Sequence, residues 1–414
     1  MNKNPNIEIA ALRKKLIAGE SQTVDVLVRI TPPEIDASGA ERPKLNIGIA
    51  LDRSGSMSGD KMHQAREATK YCIDQLRSTD IFSAVIFDDV VDVLFTSQPT
   101  ADKQYLKRGI DRIEARNSTA LHEGWVKAGL QVSEQLDPKA MNRVLLVTDG
   151  QANVGETNVD RIVSNAREVA YRGVTTSTIG IGADFNEDLL LPMAEAGQGN
   201  AWHVQEPADM VGIFETELQG LLRQFGRRVR LNVRTAGGVR MTDILNDFEV
   251  AAGGEYLLPE LVAGSALEII LRFEVSRDAA PGNLATFDLS FVRPDSEIAE
   301  SISAAFYSEF DSRESVERMD ENADVLRVVR LLMNARARRE AMTQMDDGNF
   351  LAARAAVQGS IAQTQMVFAQ APSASLRAEI DELSRVANSL EDRRNDAMTR
   401  KQMAYSREST RKGR

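Results

Sequence analysis

The stretch LNIGIALDRSGSMSGDKM, residues 45–62, decides how the rest of the chain is read. It opens on a near-continuous apolar run, the pattern of a strand buried on both faces of a parallel sheet. That strand runs into one carboxylate and two alternating hydroxyls, Asp52, Ser54 and Ser56, with nothing bulky between the serines. Four readings compete for such a cluster. Ser54, Ser56 or Ser58 could cap the helix that follows, but a cap needs one such side chain, not an Asp and two serines. A nucleophilic serine needs the G-x-S-x-G elbow, and the order Ser54-Gly55-Ser56-Met57-Ser58-Gly59 does not fit it. It also needs a histidine, and none of His63, His122 and His203 stands in an obvious base context. A phosphate loop fails as well, because Lys61 is followed by Met62 rather than Ser or Thr. A hard divalent cation, which takes oxygen ligands, explains more of the residues.

Further oxygens should come from other strand ends at the same edge of the sheet. Two loops are placed to supply them. Thr119, in ARNSTALHEG, stands where a helix begins, and Asp149, in VLLVTDGQAN, ends another apolar run. Strand and helix patterns alternate from Leu45 to about Phe225. Strands are expected at 45–51, 81–88, 91–95, 141–149, 174–182 and 200–204. Helices are expected at 60–77, 101–115, 119–136, 158–173, 186–197 and 207–225. This order predicts an α/β fold with a mostly parallel, doubly wound sheet.

DRSGSM, STALHEG and LLVTDGQANVG together resemble, in order and spacing, the metal-ion-dependent adhesion site of von Willebrand factor A domains. The resemblance covers about 45–225. It implies that Asp52, Ser54, Ser56, Thr119 and Asp149 are the five metal-site positions. It implies a divalent cation, Mg²⁺ foremost with Mn²⁺ or Ca²⁺ as alternatives, and a partner protein whose Asp or Glu completes the coordination. Many relatives carry glycines before the threonine, where this chain has Asn117 and Ser118. In related domains the last helix, here 207–225, shifts when the site takes its ligand. The wider layout looks most like bacterial members of the family and is similar to inter-alpha-trypsin inhibitor heavy chains.

The residue types point the same way. Two carboxylates and three neutral hydroxyls leave a 2+ ion under-ligated, whereas a closed Ca²⁺ site uses more carboxylates. An open position invites an oxygen anion from outside. The rival is a metal-dependent hydrolase, in which the ion activates water beside a base. The motif loops offer only His122 and Glu123 for that base, and a first-turn Glu is favoured by the helix dipole in any case. The expected activity is therefore binding without catalysis.

Outside 45–225 the pattern changes. Residues 23–33 alternate apolar and polar, as a half-exposed strand does, and 226–310 holds short β-type runs separated by Gly, Pro, Asn and Asp. The expected organisation is 1–44 giving strands to a β-sandwich, 45–225 as an α/β insertion, and 226–310 as the rest of the sandwich. Helices follow over 311–400, with Val316, Met319, Ala323, Leu326 and Met333 near helical spacing and a role in oligomerisation or docking. The basic tail 401–414, with Tyr405, Ser406, Ser409 and Thr410 among arginines, reads as disordered.

The 414 residues carry a formal charge of -11, which argues against general nucleic-acid binding. No stretch has the roughly 20 apolar residues that span a bilayer, and the first residues lack the apolar core of a secretory signal. The lone Cys72 excludes an intrachain disulfide. A cytoplasmic location is expected. Bacterial relatives serve AAA+ ATPase complexes, kinase and phosphatase signalling clusters, and envelope assembly. The first two are expected here, including the alternative of a regulatory subunit of an AAA+ complex.

Overall fold

The computed structural model describes residues 4–34, 42–116, 118–294, 296–392 and 396–413; Asn117 lies outside them. Three strands come first: β1 (Asn6–Ala11), β2 (Lys15–Ile17) and β3 (Gln22–Thr31). The α/β unit follows. Its strands are β4 (Leu45–Asp52), β5 (Ile81–Phe87), β6 (Val91–Pro99), β7 (Met141–Thr148), β8 (Thr175–Ile181) and β9 (Gln198–Val204). Its helices are α1 (Asp60–Gln75), α2 (Lys103–Ile110), α3 (Leu121–Glu134), α4 (Val159–Tyr171), α5 (Glu187–Ala196) and α6 (Met210–Leu222).

The sheet order is β6-β5-β4-β7-β8-β9, parallel throughout except for β6, which runs antiparallel to β5. Every residue of β4 and of β7 is buried, which explains their unbroken apolar reading. The chain passes from β4 to β5 on one side and later returns to β7 on the other. The strand order therefore reverses between β4 and β7, the kind of crevice where α/β sheets bind ligands. Leu51 of β4 pairs with Val147 of β7, so the C-terminal ends of these two strands lie side by side. Helix α1 covers one face with Met62, Ala65, Ala68, Cys72 and Ile73, at helical spacing and buried.

Helix α6 is pinned at the other edge. The wholly buried Glu217 carboxylate accepts Arg143 Nη1 at 2.9 Å and Ser177 Oγ at 2.6 Å on one oxygen. The other oxygen accepts Asn200 Nδ2 at 2.7 Å and Trp202 Nε1 at 2.8 Å. Burial pulls this carboxyl up, but the Arg143 charge and the hydroxyl, amide and indole donors outweigh it and hold it below its ordinary value.

After α6 come β10 (Gln224–Thr235), β11 (Val239–Ile244), β12 (Tyr256–Leu257), β13 (Leu261–Val262), β14 (Leu267–Val275), β15 (Gly282–Val292) and β16 (Ala299–Asp311). With β1–β3 they build a β-sandwich, into which the α/β unit is inserted. One sheet has the order β1-β3-β14-β11, and the other β12-β10-β15-β16-β2. Val26, Val28, Ile30, Ile269 and Leu271 of the first sheet share a core with Leu231, Phe287, Leu289 and Phe291 of the second. Alternate residues of β3 supply that core, as the half-exposed pattern of 23–33 requires.

The chain ends in α7 (Arg313–Glu317), α8 (Ala323–Asp346), α9 (Phe350–Gln370), α10 (Ala374–Asp392) and α11 (Asp396–Arg411). Val325, Val328 and Leu332 of α8 pack on Leu27, Leu245 and Ile270. The sequence pattern had singled out Leu326, which is only half-buried; the core-facing stripe lies one residue earlier. A second correction concerns the tail. Residues 401–411 are not disordered but belong to α11, and the buried Met403 joins Ala341, Met345, Leu383 and Leu390 in one apolar cluster. A basic, hydroxyl-rich composition hid a helix that tertiary packing stabilises.

Candidate metal centre

Asp52 is the last residue of β4 and is wholly buried. Its Oδ1 accepts the Ser54 backbone N–H at 2.7 Å, which folds the chain back on itself. Its Oδ2 accepts the Thr148 hydroxyl at 2.5 Å. Burial pushes the Asp52 carboxyl up to about 6 from its ordinary 3.8; the bonds from Thr148 and Ser54 oppose the rise, and the Asp149 charge adds to it.

The loop continues through a short 3₁₀ turn, Gly55–Met57, held down by the wholly buried Met57. This sets Ser54 Oγ 3.1 Å from Ser56 Oγ. Ser56 Oγ donates to Asp149 Oδ1 at 2.7 Å. Asp149 follows β7 directly and is wholly buried. Its Oδ2 receives the Lys61 ammonium, from the first turn of α1, at 2.5 Å. Asp52, Ser54, Ser56 and Asp149 thus form one continuous hydrogen-bonded chain.

Thr119 arrives from the loop before α3. Its N–H donates to Asn153 Oδ1 at 3.0 Å, and its carbonyl accepts the N–H groups of Asn153 and Val154 at 3.3 and 3.2 Å. These bonds fasten the threonine to the loop after Asp149. Gly150 eases the approach: a Cβ there would press on Thr119 Oγ1 at 3.3 Å and stand in ordinary contact, 3.7 Å, with Asp52 Oδ2. All five residues singled out from the sequence therefore converge at one edge of the sheet.

Asp88 ties the loops together. It follows β5 and is wholly buried. Its Oδ2 meets Arg116 Nε at 2.6 Å and Arg53 Nε at 3.1 Å, and its carbonyl accepts the Ala120 N–H at 2.6 Å. Arg116 N–H also donates to the Arg53 carbonyl at 2.7 Å. The sequence reading placed Asp88 at the end of the strand 81–88 and missed its role, as it missed those of Thr148, Asn153 and Lys61. One signal was available: Asp88 ends β5 at the same sheet edge where Asp52 ends β4.

The candidates for a general base each meet one hydrogen-bonding neighbour, and Glu123 keeps its Oε2 without a partner among the described residues. His122 Nε2 lies 3.0 Å from Asn165 Nδ2. Glu123 Oε1 accepts the Glu156 N–H at 3.2 Å. Gly155, at φ +75°, leaves the room that this carboxylate fills, since a Cβ there would fall 1.9 Å from Glu123 Oε1.

The donor set suits a hard divalent ion. Two buried carboxylates face a single ammonium, burial raises one of them, and the Thr119 hydroxyl has no hydrogen-bond partner among the described residues. No cluster of three or more His, Cys, Asp or Glu able to hold a metal occurs among the described residues, so the site is poor in carboxylates.

A doubly wound sheet with this loop cluster at its switch point defines the inserted unit as a von Willebrand factor type A domain. The family model of that domain matches residues 46–216. The chain is 26% identical over 294 residues to the protein YfbK of Escherichia coli K12, covering 67% of this chain and 48% of that one. It is 28% identical over 221 residues to mouse inter-alpha-trypsin inhibitor heavy chain H2, covering 51% of this chain and 23% of that one. The chain thus spans less than half the length of these relatives. Two solved structures share the wider fold. A von Willebrand factor type A protein from Catenulispora acidiphila has a TM-score of 0.71 at 18% identity, over 93% of this chain and 90% of that one. The ArnB paralog VWA2 from Sulfolobus acidocaldarius has a TM-score of 0.62 at 14% identity, over 99% and 98%. No helix among the described residues is long and apolar enough to cross a membrane.

Proposed function

We propose that Asp52, Ser54, Ser56, Thr119 and Asp149 hold a divalent cation, directly or through water, and that the ion docks an Asp or Glu side chain of a partner protein. The observation that carries this reading is the pairing of two buried carboxylates at neighbouring strand ends, surrounded by hydroxyls and one ammonium, that of Lys61, rather than by further carboxylates. Mg²⁺ suits such oxygen donors and keeps several of its waters. The bound ion supplies a Lewis-acidic position that a carboxylate can enter. Asp52 and Asp149 bring the negative charge, the serines and Thr119 orient and complete the oxygen shell, and Asp88 keeps the loops in register.

Glu123, the carboxylate that the motif loops offer as a base, holds the Glu156 backbone N–H with Oε1 and keeps Oε2 without a partner among the described residues, so a binding role without catalysis rests on the Glu123→Gln comparison. The partner is expected within a multiprotein assembly, an AAA+ ATPase complex or a kinase–phosphatase cluster. Self-association through the C-terminal helices is a separate proposal, with Leu351 and Met366 exposed on α9 as the contact surface; light scattering on a Leu351→Glu variant tests it.

The metal-bridge reading is tested by affinity capture from cell extract in Mg²⁺, in EDTA and with Asp52→Ala, read by mass spectrometry. A partner should appear in Mg²⁺ alone, while circular dichroism shows all three samples folded. Equal capture in EDTA overturns it.

A further inference from the structure

Both oxygens of Asp149 already carry a donor from the chain itself: Ser56 Oγ on Oδ1 at 2.7 Å and the Lys61 ammonium on Oδ2 at 2.5 Å. The two donors differ in kind. A serine hydroxyl can turn its lone pairs to a metal, whereas an ammonium has no lone pair and only adds positive charge. Lys61 lies in the first turn of α1, and its side chain is 25% exposed against 0% for Asp149. Its Cε and Nζ lie 3.8 Å from where a Cβ at Gly182 would stand, so the side chain reaches past the turn after β8.

The charge count sets the competition. Asp52 and Asp149 carry −2, and Lys61 offsets half of it. A divalent ion on the same oxygens offsets all of it and makes the ammonium surplus. An ion that takes Asp149 must also share or displace the Lys61 contact. We propose that Lys61 is a tethered cation that competes with the divalent ion for Asp149, neutralising the carboxylate in the metal-free chain and leaving Oδ2 when the ion arrives. The inference rests on the metal-site reading above and deepens it: the lysine sets the ion's affinity and keeps the metal-free site from holding an unpaired buried charge.

A purely structural lysine, one that orients Asp149 for the metal, predicts the opposite sign, because its removal would weaken the ion. The full chain is titrated with Mn²⁺ by calorimetry as wild type, Lys61→Met, Lys61→Arg and Asp149→Asn. Lys61→Met keeps an unbranched stem and loses the charge; it should bind Mn²⁺ at least tenfold tighter. Lys61→Arg should stay within threefold of wild type, and Asp149→Asn should lose binding. Melting gives a second readout: Lys61→Met should melt lower than wild type in EDTA and gain more from added Mn²⁺. If Lys61→Met does not fold in EDTA, recovery on adding Mn²⁺ supports the inference and failure to recover counts against it. Binding by Lys61→Met alone, with a silent wild type, also supports it, since the lysine then closes the site. A wild type that binds while Lys61→Met binds no tighter overturns this inference and leaves the metal site standing. No binding by either overturns both.

Discussion

Thr148 and Asp52 sit on neighbouring strands, and the threonine hydroxyl donates to the buried Asp52 Oδ2 at 2.5 Å while accepting the Gly150 N–H at 3.1 Å. The bond favours the charged form of a carboxyl that burial disfavours. Thr148→Val keeps the shape and removes the donor. It should push the Asp52 carboxyl further above about 6 and weaken Mn²⁺ binding several-fold near neutral pH, with the deficit shrinking as pH rises. Calorimetric titrations at several pH values check this; an affinity ratio that does not change with pH would count against it.

The raised Asp52 value carries a sign for stability as well. The folded carboxyl titrates near 6 and the unfolded one near 3.8, so the folded, metal-free chain binds the extra proton between those values. This group's contribution to stability is present below about 3.8 and is lost as pH rises through about 6, by roughly 3 kcal/mol. Metal binding has the opposite trend and should weaken up to about tenfold per unit as pH falls below 6. Urea melts in EDTA from pH 4 to 8 check the first claim against Asp52→Asn, which should lack that component of the slope.

Much of this edge was legible before any coordinates. Asp52 and Asp149 were readable because each ends an apolar run, where side chains must leave the sheet; Ser54, Ser56 and Thr119 were readable from the order and spacing of the three motif loops. Asp88, Asn153 and Lys61 were not. Their roles depend on which loop lies across from them, and strand order does not appear in local pattern. The stripe on α8 was misread by one residue because several apolar side chains crowd 325–333 and only contact with Leu27 and Ile270 selects among them. Helix α11 failed for the converse reason: Met403 and Ala404 are a small apolar signal in a charged stretch.

Glu217 bonds to Arg143, Ser177, Asn200 and Trp202 and so holds α6 against β7, β8 and β9. Replacing it by Gln leaves the Arg143 charge buried without its counter-ion. The loss should be about 3–5 kcal/mol in denaturant melts. If the site communicates through α6, Glu217→Gln should also change the Mn²⁺ affinity, and an unchanged affinity would remove that switch.

Glu123→Gln separates binding from catalysis. The amide oxygen can still accept the Glu156 N–H, and the amine would replace Oε2, which has no partner among the described residues. Partner capture should stay within about twofold of wild type. Gly155→Ala, by contrast, puts a methyl into the Glu123 carboxylate at a backbone angle that favours glycine. It should displace the 150–156 loop and lower Mn²⁺ affinity at least tenfold, while far-ultraviolet dichroism stays unchanged.

The central position of β4 and β7 bears on how the unit would carry load. An ion held by Asp52 and Asp149, as proposed above, would pull on the ends of two adjacent parallel strands, paired from Leu45↔Met141 to Leu51↔Val147. Tension entering at that edge would pull both strands the same way, so the ladders to their outer neighbours β5 and β8 would be loaded in shear, all bonds together rather than one at a time. With Asp88 bonded to the loops that carry Arg53 and Thr119, part of the same tension passes into β5. On the metal-bridge proposal, such a load would be shared among the strands in the middle of the sheet rather than borne by one.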